Sequence, residues 1–573
     1  MKAGIDFGTS TSEIAYISKD GKVIIIPNHL GEVITPSVVN ISADGTPIIG
    51  REAREKALIE PENTFLEVKR LFGTNTELTA RDRVFSPVDI AAMIIRYLAD
   101  CAQKYSGEEV DSAVITVPAY FTDAQRKDVM AAGKAAGLEV ERIINEPTAA
   151  SLDYGIDHMR DCKYMLVYDL GGGTLDVTVL ELFEGVVEVK SSCGNNALGG
   201  KDFDQAIMDH ITGIIRKRDK VDISLDARAM MRIKIAAEQC KIALSRYTEY
   251  LIELPFLYSK TGSPDSPAAP VGYSERITRT IFESMIHDKI YSTEQQIKTA
   301  LFDANLEADD IDLTLLVGGS TRIPLVSRFL DEIFGITPES AVDPDLAVVR
   351  GAAIQAGVLS GTLSENAIVL TDICPYSLST EALNDSSLDE EDTYCDILIR
   401  RNTTLPVTAT KIYATTHDDQ TSAHIFAYQG ESPDPAENYL LNCFELSGIP
   451  KAKARREKIN IRFEYDLNGI LTVQAEIVST GKSASVTVNT TEMGKNLDLS
   501  KWKLAPAARR YRQVINKAER LVKLHGGEAA DSVEAAAREL KKAIVMNWEE
   551  PMIEKMKFRL LDAIDDLEGE EQE

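Results

Sequence analysis

Two short glycine turns of the same chemical type, far apart in one chain, restrict the fold more than any other feature. The first is Ile5-Asp6-Phe7-Gly8-Thr9-Ser10-Thr11-Ser12, and the second is Asp169-Leu170-Gly171-Gly172-Gly173-Thr174-Leu175-Asp176. Each follows an apolar run (Ala3 to Ile5; Tyr164 to Tyr168) that reads as a strand, and each puts an Asp at the end of that strand. Glycines let the backbone approach an anion, a hydroxyl follows within reach, and exposed N–H groups in such turns cradle phosphate. The aspartates cannot bind phosphate directly, because like charges repel. They suit the water shell of Mg²⁺ or a water to be polarised. Duplicated turns imply a nucleotide clamped between two lobes, the arrangement of an ATPase or a phosphotransferase.

The rest of the chain divides by its periodicity. Residues 1–363 alternate apolar runs with helical stretches, such as the strand Val114 to Val117, a helix from Asp123 to Gly137, the strand Leu313 to Val317 and a helix from Arg350 to Leu359. This is the pattern of an α/β domain. Ser259 to Pro270 reads as a surface loop. Residues 364–374 form a connector with an apolar middle, unlike a plain flexible linker. Residues 375–495 switch to period two, with strands at Ile397–Ile399, Lys411–Thr415, Ser422–Tyr428, Ile459–Tyr465 and Ile470–Ile477. Asp466-Leu467-Asn468-Gly469 reads as a hairpin turn in which Asn-Gly supplies positive φ angles. Ser386 to Asp392 reads as a solvated acidic loop. Residues 496–573 are helical, with Trp548, Met552, Met556, Leu560, Ile564 and Leu567 along one face, Pro551 in a first turn and an acidic tail.

Charge and cysteines narrow the class. The net charge of −28, from 62 basic and 90 acidic residues, argues against a nucleic-acid binder. No signal-like stretch opens the sequence and no long apolar run could span a membrane. The seven cysteines are scattered without a CxxC pair, so a reduced, cytoplasmic setting is expected.

Six motifs in order carry a resemblance over nearly the whole chain. They are the first phosphate turn; Val117-Pro118-Ala119-Tyr120-Phe121; Ile144-Asn145-Glu146-Pro147-Thr148-Ala149-Ala150; the second phosphate turn; Leu198-Gly199-Gly200-Lys201-Asp202-Phe203-Asp204; and Val317-Gly318-Gly319-Ser320-Thr321-Arg322-Ile323-Pro324. Together these resemble the seventy-kilodalton heat-shock chaperones of the DnaK type. The connector Leu370-Thr371-Asp372-Ile373-Cys374-Pro375-Tyr376-Ser377-Leu378 and the short C-terminus look like the HscC branch. The resemblance implies an actin-like two-lobed ATPase domain, a β-sandwich that binds extended apolar peptide segments of unfolded proteins, and a short helical lid. It also implies ATP or ADP with Mg²⁺ and K⁺, a J-domain co-chaperone, a nucleotide-exchange factor as a further partner, and a monomer.

Roles follow motif by motif. Gly8, Thr9, Ser10, Gly172, Gly173 and Thr174 are expected at the phosphates. Lys69 reads in isolation as a surface lysine on an amphipathic helix; the resemblance instead sends it toward the γ-phosphate and the attacking water. Asp6, Asp169 and Asp176 are expected around Mg²⁺, largely through water, with Glu146 completing an acidic set that needs cations. Asp169 orients the nucleophile and Thr174 helps. Glu238, Lys241 and Ser245 share a helical face and read alone as a solvated surface. By resemblance they meet the adenosine with Gly318, Gly319, Ser320, Arg322 and Asp345. Pro118, Arg126, Glu146, Pro147, Leu370 and Asp372 are expected to relay nucleotide state to the connector.

Peptide contacts are expected at Tyr413, Ala423, Ile425 and Ala427, although each equally fits a sandwich core. Departures from the family pattern include Thr371 in the connector, and Thr380 and Ala423, which are smaller or more polar than usual pocket residues. Competing functions are a sugar or metabolite kinase on the same fold, which has no use for residues 375–568, a holdase or exchange factor without turnover, and a filament-forming actin relative.

Overall fold

The alternating apolar runs of the first 363 residues build two sheets with the same plan. The computed structural model describes every residue except 75, 159–161, 184–185, 260–269, 340–342, 364–368, 385–392, 488–501, 503–507, 525–531, 534–535, 539, 542–543, 545–549 and 571–573. In the first sheet the strands Lys2–Phe7 and Thr11–Ile17 form a hairpin across the first phosphate turn, and Ser112–Val117 and then Glu139–Asn145 add in parallel. In the second, Tyr164–Leu170 and Leu175–Phe183 form the matching hairpin across the second turn, flanked by Leu313–Val317 in parallel and by Val186–Asn195. Each turn therefore sits at the carboxyl end of a strand buried on both faces, where parallel sheets bind ligands.

Two helices lie between the sheets. Ala347–Leu359 packs on the first sheet and Glu146–His158 on the second, and they pack on each other. Glycine sets that spacing: a Cβ on Gly351 would stand 1.7 Å from the carbonyl oxygen of Ala149, and one on Gly4 would stand 2.2 Å from the amide nitrogen of Ala353. The helix expected from Asp123 to Gly137 spans Asp123–Ala135, opened by a capping box between Thr122 and Gln125.

The connector adds a fifth strand to the second sheet. Val369–Thr371 runs parallel to Val186–Asn195, with Val187 opposite Leu370 and Glu188 opposite Thr371. Beyond it, two four-stranded antiparallel sheets pack face to face. One orders Thr393–Ile399, Leu378–Leu383, Ser422–Gln429 and Tyr439–Ser447; the other orders Val407–Ala414, Lys458–Tyr465, Leu471–Ile477 and Ser483–Thr487. Phe463, Leu471, Val473 and Leu446 are wholly buried between them.

The hairpin at Asp466–Gly469 departs from expectation. Only Gly469 has a positive φ, of 70°. The Asp466 carboxylate closes the turn instead, accepting the N–H groups of Asn468 at 2.8 Å and Ile470 at 2.9 Å.

The chain clusters into two units, residues 1–73 with 77–490, and residues 74–76 with 491–573. In the second, the helices Ala508–Leu524 and Glu550–Glu570 bury Tyr511, Ile515, Leu560 and Ile564 in a shared core, with Met556 and Leu567 on the face read from the sequence. Pro551 is the second residue of its helix. Trp548, residues 260–269 and 386–392 of the two expected loops, residues 364–368 of the connector and the last three tail residues lie outside the described residues. Among the described residues no helix is long and apolar enough to cross a membrane, and all seven cysteines are free.

Candidate active site

The two phosphate turns face each other across a cleft lined by residues of both turns. A Cβ on Gly172 would lie 2.1 Å from Ser10 Oγ, and one on Gly173 would lie 3.0 Å from Thr9 Cγ2, so glycine is required where the loops meet. The second turn is tied from behind: Gly171 donates to the Thr174 carbonyl at 3.1 Å, and its own carbonyl accepts Gly200 N–H at 3.0 Å and Ser320 Oγ at 2.8 Å. These bonds consume the turn's carbonyls from outside the cleft.

Carboxylates crowd one end. Asp6, Glu13, Glu146 and Asp169 line the cleft with Lys69. Lys69 sits in a short 3-10 turn, Val68–Leu71, rather than on an amphipathic helix, and is only 3% exposed. Its Nζ lies 2.6 Å from Glu146 Oε1, and 5.8 and 5.5 Å from the ring centres of Phe7 and Phe121. Those rings force the ammonium to point at the cleft.

One lysine does not balance the set. Burial first, and then the neighbouring Glu146, push the Asp6 carboxyl up to about 7; Thr116 Oγ1 donates to it at 2.8 Å. The same two causes push Asp176 to about 7. Burial and the surrounding carboxylates drive Asp169 well above the usual range, and its buried Oδ2 has no partner. Glu13 behaves likewise, driven up by burial and then by Asp6, with an orphaned Oε1. An orphaned buried oxygen on Asp169 beside Asp6 suits a divalent cation.

The structure gathers Asp6, Gly8, Thr9, Ser10, Lys69, Glu146, Asp169, Gly172, Thr174, Gly318, Gly319 and Asp345 around the cleft. Asp176 lies just behind, its carboxylate accepting Ala119 N–H at 3.3 Å and Tyr120 N–H at 3.1 Å. Several expected adenosine contacts do not line the cleft. Glu238 pairs with Arg54 and with Lys201 at 3.3 Å. Lys241 is buried against Asp204 at 2.8 Å. Ser245 bonds back to the Lys241 carbonyl, and Arg322 is held by Asp343 and Asp345. Three residues here escaped the sequence reading. Glu13 could have been noticed as a lone carboxylate inside an apolar strand, whereas Arg70, which pairs with Asp202 at 2.9 Å, and Thr116 carried no signal.

Of the residues expected to relay nucleotide state, Arg126 and Asp372 meet through Asn145 at the edge of the first sheet, whereas Leu370 pairs with Val187 in the second. Both oxygens of Asp372 accept Asn145 Nδ2 at 2.8 Å, and Asn145 Oδ1 accepts Arg126 Nη2 at 2.7 Å. Arg126 also donates to the carbonyls of Ala119 and Phe121, one and three residues beyond Pro118. Pro147 follows Glu146 in the first turn of Glu146–His158. The β domain touches the nucleotide domain again where Asn468 Oδ1 accepts Ile143 N–H at 3.1 Å, and where Arg401 and Asn402 hold Asp303 at 2.7 and 3.0 Å.

In the β domain, Ile425 and Ala427 are buried in the sandwich core, so as they stand they offer a peptide no side-chain surface. Tyr413 is half-buried and donates to Asp396 at 2.9 Å, and Ala423 lies at the core's margin. Thr380 is buried, and its hydroxyl donates to the Phe426 carbonyl at 2.7 Å.

Comparison with known proteins agrees with these motifs. The chain matches the family described as Hsp70 protein over residues 2–79 and 74–573. It is 41% identical over 541 residues to the chaperone protein DnaK of Thermotoga neapolitana, covering 94% of this chain and 88% of the relative. It is 43% identical over 488 residues to DnaK of Thermotoga maritima (85% and 80%), and 42% identical over 488 residues to DnaK of Thermosipho africanus (85% and 79%).

Proposed function

The chain belongs to the Hsp70 family of ATPase chaperones, and on that premise we propose an ATP-driven chaperone that binds and releases extended apolar segments of unfolded polypeptides. The observation that carries the reading is Lys69, buried against Glu146 among orphaned carboxylates in a cleft walled by two phosphate turns. Gly8, Thr9, Ser10, Gly172, Gly173 and Thr174 hold the phosphates through backbone N–H groups and hydroxyls. Lys69 stabilises charge that develops on the transferring phosphoryl group. Asp6, Asp169 and Asp176 would hold Mg²⁺, mostly through water and with K⁺ alongside, and the cation would supply neutralisation of phosphate charge. Asp169 orients the attacking water.

Gly318, Gly319 and Asp345 form the adenosine end. Glu238, Lys241, Ser320 and Arg322 join it when their present ion pairs and hydrogen bonds open, and Ser245 supports that helix from behind.

The β domain supplies the peptide site around Tyr413, Ala423, Ile425 and Ala427, and buried Ile425 and Ala427 become available when the sandwich loosens. One Leu-sized side chain buried there contributes about 1.5–3 kcal/mol. With backbone bonds added, affinity near about 1 μM follows. Pro118, Arg126, Glu146, Pro147, Leu370 and Asp372 couple the two sites, and the coupling is reciprocal. A J-domain protein and an exchange factor act on this cycle in the cytoplasm, and the chaperone works as a monomer. The connector run from Leu370 to Leu378 supports an HscC-like branch.

Single-turnover hydrolysis of bound ATP, with and without an apolar peptide, tests the reading. Slow turnover that rises with peptide is expected. Peptide-independent turnover overturns the coupling, and transfer of phosphate to an added sugar overturns the chaperone function.

A further inference from the structure

Tyr120 is gripped at both ends of its backbone by different domains. Its N–H donates to Asp176 Oδ1 at 3.1 Å, and Ala119 N–H donates to the other oxygen at 3.3 Å. Its carbonyl accepts the Tyr376 hydroxyl at 2.9 Å and Asn196 Nδ2 at 2.7 Å. The two tyrosine rings are 4.4 Å apart, centre to centre. Asn196 belongs to the nucleotide domain, but Tyr376 belongs to the β domain and moves with it. The next residue, Ser377, gives both its N–H and its hydroxyl to Glu431 at 2.8 Å, and its carbonyl accepts Gly430 N–H. Displacement of the β domain therefore acts on a residue bonded directly to a carboxylate of the hydrolytic site. The route does not pass through the connector strand or Asp372.

We propose that Tyr376 is a positioning residue for hydrolysis: while the β domain is docked, its hydroxyl fixes the Tyr120 backbone and keeps Asp176 turned onto the Ala119 and Tyr120 amides. Docking then restrains the hydrolytic site through a contact of its own, and peptide binding lifts that restraint when the β domain departs. Nothing in the sequence marked this residue; Tyr376 reads there as one more position of the connector run.

This inference rests on the proposed coupling of peptide binding to hydrolysis. The test is single-turnover hydrolysis by the full chain at saturating ATP and Mg²⁺, with and without an apolar peptide, comparing wild type with Tyr376→Phe. That variant keeps the ring and loses one neutral hydrogen bond. Its peptide-free rate should rise about fivefold, the factor such a bond supplies, while its peptide-saturated rate and ATP affinity stay at wild-type values. Hydrogen exchange should increase more in residues 118–121 than in 369–374.

Asn196→Ala is the companion variant. It removes the other donor to the same carbonyl, which undocking does not release, so its rate should change equally with and without peptide. Full wild-type stimulation in Tyr376→Phe, or exchange that rises equally in the connector, overturns the positioning role alone. A wild-type rate indifferent to peptide overturns the coupling on which it rests.

Discussion

Asp372→Asn tests the connector most sharply, because the structure dictates which hydrogen bonds fail. Arg126 holds the oxygen of the Asn145 amide, so its nitrogen must face Asp372. Asp372 Oδ1 accepts both that nitrogen and Ile373 N–H at 2.8 Å, while Oδ2 accepts Asn145 Nδ2 alone. An asparagine can keep its oxygen at the first position, and its own NH₂ then confronts the Asn145 NH₂. Losing the charge on these bonds costs about 2–3 kcal/mol. Part of that is offset, since burial already pushes the Asp372 carboxyl upward and the neutral side chain avoids that penalty. A net of about 1–2 kcal/mol remains, which shifts docking about five- to thirtyfold toward the separated state. In single-turnover hydrolysis the peptide-free rate should rise toward the stimulated one, so the stimulation ratio falls within that range. Hydrogen exchange over residues 369–374 should rise in parallel. A variant with wild-type stimulation and wild-type exchange refutes the argument that this carboxylate holds the connector.

Lys69→Ala should bind ATP with little change and hydrolyse it about 10²–10³-fold more slowly, as for loss of a preorganised charge; normal single turnover would remove Lys69 from the chemistry. Asp6 and Asp176 sit at about 7, against about 4 in an unfolded chain, so the metal-free fold binds the extra protons between those values and its stability falls as pH rises. Thermal melts without Mg²⁺ should therefore show a lower Tm at about pH 7.5 than at about pH 5.5, with Mg²⁺ and ATP restoring more at the higher pH; a flat profile would show that these carboxylates are not raised. Gly351→Ala drives a methyl into the Ala149 carbonyl and should destabilise by about 3 kcal/mol, seen as a lower denaturant midpoint; an unchanged midpoint would mean that the two helices separate freely.

The glycine turns and the motif order made the nucleotide domain legible, because phosphate binding needs particular residues at particular spacings. Period two revealed five strands of the sandwich but not Leu378–Leu383 or Tyr439–Ser447, whose mixed burial gives no clean alternation, nor the short Ser483–Thr487. Lys69 looked like a surface lysine because its burial comes from Phe7 and Phe121, far apart in the chain. Asn145 and Tyr376 were equally silent. Each matters through a partner far away in the chain, and no local pattern encodes such a partner. Asn468 shows the same effect in reverse. The turn did not need its left-handed conformation, since Asp466 closes it, and its side chain instead reaches Ile143.

That Asn468 contact and the connector strand have a joint consequence for self-association. Glu139–Asn145 is the outermost strand of the first sheet, and Val186–Asn195 would be outermost in the second without Val369–Thr371. A bare strand edge is a template for pairing with another chain. In the docked state the connector strand pairs with the second edge and Asn468 holds one amide of the first, Ile143 N–H, so in the proposed cycle release uncovers both. In the proposed cycle each release then exposes, for a time, strand edges through which two copies of the chain could zip together, and the cover to be restored on the second edge is only the three-residue strand Val369–Thr371.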